Sequence, residues 1–115
     1  MASYLLLLNE PPATEDASMP SAEEIQETIA RYKAWREKLG ARILMGEKLV
    51  DAPGRVVGRQ GDSVQVTDGP YAEVKEVLGG VFLLEASSYE EAVKLCEDCP
   101  HLDFGTIHLR EIDAV

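Results

Sequence analysis

Basic residues are scarce in this sequence. Lys and Arg number 11 against 21 Asp and Glu, giving a formal net charge of −10 over 115 residues. Recognition of phosphate needs a clustered Lys/Arg face that can release counterions, so this balance argues against a nucleic-acid partner and against an anionic membrane surface. Long hydrophobic runs are missing as well. The most apolar stretch, Tyr4-Leu5-Leu6-Leu7-Leu8, falls far short of the ~20 residues of a membrane span, and no basic segment precedes it. A cytoplasmic, non-membrane location is expected. Histidine is limited to His101 and His108. With no G-x-G-x-x-G, no P-loop and no histidine-rich cluster, nothing indicates a nucleotide, flavin, haem or metal, and no cofactor is expected.

Cysteine is confined to Cys96 and Cys99, in a C-x-x-C spacing. That spacing serves a redox dithiol or half of a zinc site. A redox pair normally opens a helix, where the dipole lowers the thiol pKa, whereas this pair closes one. Zinc would need a second pair of ligands. The reading taken is structural: Cys96 is a small buried residue on a helix and Cys99 lies at the helix end.

What is present fits one globular domain over residues 1–115, with 45% hydrophobic residues. A chain of this length buries about two thirds of the surface its unfolded form exposes, enough to fold without staples. Tyr4–Leu8 reads as a central strand cut off by Asn9-Glu10-Pro11-Pro12, and 11–20 as a loop. Ser21 and Glu24 form a capping box that opens a helix. Ile25, Ile29, Tyr32, Trp35 and Leu39 follow as one apolar stripe, and Gly40 ends it. Ala41–Leu49 is a strand with Ile43 and Met45 on one side and Leu44 on the other.

Arg55–Arg59 and Ser63–Thr67 flank Gln60-Gly61-Asp62 as a polar hairpin expected at the edge of the sheet. Gly80–Ala86 is a second strongly apolar strand. Ser88 and Glu91 repeat the capping box before a second helix that Pro100 stops. Phe104–Ile112 alternates, with Ile107 and Leu109 toward the core and His108 on the opposite side. The order is β-α-β, hairpin, β-α-β: a ferredoxin-like split βαβ, α+β, with an antiparallel sheet and both helices on one face. Two helices cover one face only. The apolar runs Leu5–Leu8 and Val81–Leu84 point side chains both ways, so a homodimer packed sheet to sheet is expected.

The least ordinary segment is Asp68-Gly69-Pro70-Tyr71-Ala72-Glu73-Val74-Lys75-Glu76, followed by Gly79-Gly80. Asp-Gly-Pro builds a turn by itself. Tyr71, Glu73 and Lys75 together, and a Gly-Gly that admits close approach of backbone, go beyond a turn. Asp68 is the candidate proton-accepting group, with Glu73 and Lys75 orienting a ligand and Glu47 and Lys48 converging on the same end of the sheet. Such a set either positions a substrate and transfers a proton, or forms a surface salt-bridge cluster. His108 is the second catalytic candidate, able to shuttle a proton or to act as a hydrogen-bonded interface residue. His101 is expected in a solvated loop.

These residues carry a resemblance. Asp68-Gly69-Pro70-Tyr71 is similar to a "DGPF" signature with Tyr for Phe, and Ala72–Glu76 and Leu78-Gly79-Gly80 to its continuation. Tyr4–Leu8, the Gly46-Glu47-Lys48-Leu49 stretch, Glu91-Ala92 and Cys99-Pro100 extend the match along the chain. The chain resembles the YCII-related, or DGPF-domain, family. The resemblance implies a dimeric α+β-barrel in which two ferredoxin-like subunits pack their sheets face to face. It implies either a small-molecule enzyme or a non-catalytic module associated with an alternative sigma factor. A shorter branch of the family pairs a histidine on the first helix with an aspartate. Here the helix runs Tyr32-Lys33-Ala34-Trp35, so that dyad does not transfer. Tyr32 and Tyr71 are carried as ligand-binding candidates. The expectation is a small organic ligand in a cavity at the sheet, handled by cofactor-free proton transfer of the isomerase or lyase type.

Overall fold

The computed structural model describes residues 1–11, 20–52, 54–68 and 76–114. Among these residues six strands and two helices follow in the order β1 (Ala2–Glu10), α1 (Ala22–Leu39), β2 (Ile43–Lys48), β3 (Arg55–Gln60), β4 (Ser63–Asp68), β5 (Val77–Ala86), α2 (Tyr89–Cys96) and β6 (Thr106–Glu111). The main sheet has the order β2-β5-β1-β6, antiparallel throughout, with β1 and β5 in the centre. This is the α+β, ferredoxin-like arrangement. Both apolar runs occupy the central strands, where continuous hydrophobicity belongs.

Each helix starts where a serine caps it. The Ser21 hydroxyl accepts the Glu24 N–H at 3.1 Å, and the Ser88 hydroxyl accepts the Glu91 N–H at 3.2 Å. The return bond of the second box goes elsewhere: the Glu91 carboxylate accepts the Ser87 N–H at 3.0 Å and pairs with Arg42. The Arg42 bond pins the entry to β2 against α2.

The core lies between the helices and one sheet face. Tyr4, Leu6 and Leu8 of β1 and Phe82, Leu84 and Ala86 of β5 form its floor, and Trp35, Leu39, Ala92 and Cys96 form its roof. Trp35 meets Phe82 edge-on at 5.2 Å and donates its indole N–H to the Leu95 carbonyl at 2.8 Å. One buried ring thus joins both helices to the sheet.

Four expectations need correction. β1 does not stop at Leu8 but continues through Glu10. The α1 stripe is buried only in its second half: Trp35 and Leu39 are in the core, while Ile25 and Ile29 are 45% and 61% exposed. The register between β2 and β5 shifts between Ile43 and Met45, where Leu44 is an extra residue, so Ile43 and Met45 face opposite sides. The hairpin β3–β4 forms its own two-stranded sheet and is not an edge of the main one.

Candidate functional site

The standing-off of α1 has a consequence. Where Ile25 and Ile29 leave the sheet, a cavity of about 700 Å³ opens between the first turns of α1, the ends of β1 and β2, the start of β5 and the short 3-10 turn Pro100–Asp103. That volume is in the range of small-molecule sites. Leu8, Ile25, Ile29, Phe82 and Phe104 give it an apolar lining, and Glu10, Tyr32, Arg36, Lys48 and His101 supply polar groups. Gly46 lies directly under the Phe82 ring and has no room for a side chain there.

His101 is the best-fixed of these groups. It is 3% exposed, and its Nε2 lies 2.7 Å from the Asn9 carbonyl oxygen. A carbonyl only accepts, so Nε2 carries a proton, and the tautomer that leaves the lone pair on Nδ1 is the one this contact selects. The 3-10 turn closes with Phe104 and Gly105 N–H groups donating to the His101 carbonyl at 3.1 and 2.9 Å. Gly105 is a spatial requirement: a Cβ there would overlap the Asn9 carbonyl and sit 2.6 Å from His101 Nε2. The Phe104 ring meets the imidazole edge-on at 5.1 Å. The solvated-loop expectation for His101 is overturned. The signal in the sequence was the combination of Cys99-Pro100 before it and Gly105 after it, which together build a tight buried turn.

Tyr32 also faces the cavity. Its hydroxyl is pushed up to about 12, first by burial, then by Cys99 and Glu10 nearby. It therefore stays a hydrogen-bond donor at neutral pH. Glu10 continues the core-facing row Tyr4, Leu6, Leu8, so the last member of an apolar row is a carboxylate. The alternation runs on to Glu10 in the sequence, and the Pro11-Pro12 breaker beside it masks that continuation.

The other candidates are scattered. Lys48 lines the cavity, but its ammonium bonds the Leu49 carbonyl at 3.1 Å and Asp51 at 3.4 Å. Glu47 also borders the cavity, while its pairing with Val81 places its side chain on the sheet face away from the helices. His108, paired with Leu7, is exposed on that same face. Asp68 ends β4 and pairs across the hairpin with Arg55 at 3.2 Å, with 84% of its side chain exposed. It is not among the residues lining the cavity. Glu47, Lys48 and Asp68 are therefore not brought together. Tyr71, Glu73 and Lys75 lie outside the described residues.

Cys96 and Cys99 are free and buried, as expected of structural cysteines. Burial pushes both thiols up, Cys96 to about 12. Among the described residues, no cluster of His, Cys, Asp and Glu could hold a metal, and no helix is long and apolar enough to cross a membrane.

A ferredoxin-like sheet hosts many unrelated functions, so the fold and its side cavity do not by themselves define one activity. The family assignment is firmer. The chain belongs to the YCII-related domain family, whose model matches residues 2–114. No curated protein matches it. Among solved structures, it is similar to the 5-chloro-2-hydroxyhydroquinone dehydrochlorinase of Burkholderia phenoliruptrix AC1100, determined in complex with 2,5-dihydroxybenzoquinone. The TM-score is 0.53 at 18% identity, over 96% of this chain and 93% of that one. At that identity the likeness is one of fold.

Proposed function

We propose that the cavity binds a small hydroxylated ring and that the protein moves a proton on it without a cofactor. The observation that carries this is His101, a buried ring that lines an apolar cavity and is held by its Nε2–H on the Asn9 carbonyl. A general base needs that fixed tautomer and that freedom from bulk water. Tyr32, protonated to about 12, is the donor that steadies charge developing on the ligand oxygen. Phe82 and Phe104 provide flat apolar walls for a ring. The solved relative acts, by its name, on a hydroxylated ring, which guides the choice of probe.

The first experiment takes hydroquinone and 1,2,4-trihydroxybenzene through a thermal-shift titration. A ligand at about a hundred times its Kd stabilises by about 2.7 kcal/mol. Exchange of ring C–H for deuterium, followed by proton NMR, then reads proton transfer. The expected outcome is stabilisation by both and exchange faster than in buffer, with His101→Gln losing the exchange and keeping the shift. Exchange that survives in His101→Gln would remove His101 as the base. Stabilisation without exchange in the native protein would favour the competing reading, a non-catalytic module associated with a sigma factor.

A homodimer belongs to the same proposal. Leu5, Leu7, Val81 and Leu83 point to the face that neither helix covers, with Met45, His108 and Arg110 beside them in register. A second copy presenting the same face would cover this patch.

A further inference from the structure

Glu10 is a carboxylate at the wall of a mostly apolar cavity, and several features of the fold put it there. β1 holds its alternation to the end, so Glu10 follows Tyr4, Leu6 and Leu8 onto the helix-covered face. Opposite it, β5 carries an extra residue: Leu8 pairs with Gly80 and Asn9 with Leu78, leaving Gly79 in a bulge. A Cβ on Gly79 would come within 2.9 Å and 3.5 Å of the two Glu10 carboxylate oxygens. The bulge and the missing side chain make a recess in which the carboxylate lies. Glu10, Tyr32 and His101 line this cavity together with two cations that are engaged elsewhere, Arg36 over the Phe82 ring and Lys48 on the Leu49 carbonyl and Asp51. Of these, Glu10 can only accept hydrogen bonds when ionised, and it repels a second anion.

We infer that Glu10 sets the ligand's polar end: the cavity takes a neutral ring bearing hydroxyls and rejects the same ring carrying a carboxylate. The inference rests on the binding reading above and names the substrate class for that site. The hydroxyl donates to Glu10, and the Gly79 recess keeps the carboxylate at the wall and out of the volume the ring fills. Charge-assisted hydrogen bonds of this kind are stronger than neutral ones. Anion rejection is a second effect of the same group.

The test compares hydroquinone with 2,5-dihydroxybenzoate, which differs by one carboxylate. Binding is read by quenching of Trp35, the only tryptophan, which packs on the cavity-lining Phe82. The native protein is expected to prefer hydroquinone by tenfold or more, because the second probe sets its carboxylate against that of Glu10 and like charges brought together are costly. Glu10→Gln should weaken hydroquinone about tenfold and bring the two probes within about threefold of each other. Gly79→Ala keeps the charge but displaces the carboxylate, and should reduce the preference with its melting temperature close to native. It serves as the second reading if Glu10→Gln does not fold. A preference that survives in both variants, or a native protein that binds both probes equally, overturns the role of Glu10 and leaves the binding reading standing. A native protein that binds neither probe overturns both.

Discussion

At the scale of single residues, burial ranks the groups differently from the sequence. His101 and Asp68 show this from opposite ends. Asp68 belongs to the most distinctive segment of the sequence, yet it is exposed and its partner Arg55 is exposed too, an arrangement worth little. A single histidine is ordinary in a sequence, and yet His101 is among the most buried groups of the described residues. Cys99-Pro100 and Gly105 mark its turn locally, but the contact with Asn9, ninety-two positions away, is one that no local pattern reveals. The cysteines were legible because their placement at a helix end is a local matter. They also give a pH prediction. Cys96 has an ordinary pKa of 9.0 and is raised to about 12 in the fold, first by burial and then by Cys99. Below pH 9 the thiol is protonated in both states and its contribution is intact. Between pH 9 and about 12 the unfolded chain releases the proton and the folded chain keeps it, so stability falls as pH rises. Tyr32 adds a fall in the same direction between 10 and about 12. Denaturant midpoints measured from pH 8 to 11 should therefore drop, and Cys96→Ala should flatten the drop. An identical slope in Cys96→Ala would mean that the thiol titrates normally.

At the scale of elements, local chemistry did well at starts and poorly at ends and bends. Both serine caps are where the sequence places them, because a cap is a contact over three residues. The β2 bulge at Leu44 and the β5 bulge at Gly79 were not legible, since an extra residue is defined only against its partner strand. The same holds for the hairpin, whose turn was readable but whose separation from the main sheet was not. The exposure of Ile25 and Ile29 is the most informative of these differences. A periodic apolar stripe normally reports core, and here its first half reports the cavity wall. The second cap gives the prediction at this scale. α2 is only 8 residues long, and a helix so short depends on its first turn. Ser88→Ala should cost about 1 kcal/mol in a denaturant titration. The Ser87 N–H bond to Glu91 remains in that variant and limits the loss, so a cost well above about 2 kcal/mol would mean that Ser88 does more than cap.

At the scale of the whole molecule, the two faces of the main sheet have separate tasks. The face toward the helices holds the core and, where α1 stands away, the cavity. The other face carries Leu5 opposite Leu83 and Leu7 opposite Val81, a four-residue apolar centre in the middle strands. Arg110 and His108 flank it from β6, and Met45 and Glu47 from β2. An apolar centre with a polar border is the pattern of an interface that closes on a copy of itself. Leu83 lies at its middle and is only half-buried within its own chain, so a charge there disturbs the subunit little and the pairing of two subunits strongly. Light scattering should give the native protein twice the 12.6 kDa chain mass, and Leu83→Glu the mass of one chain with the helical circular dichroism retained. A native protein that stays monomeric at every concentration would refute the interface. Because the cavity opens on the opposite face, the monomeric variant should still bind hydroquinone with the affinity of the native protein. A loss of binding on dissociation would mean instead that the second subunit shapes the cavity, through β1 and β5, whose alternate residues line both faces.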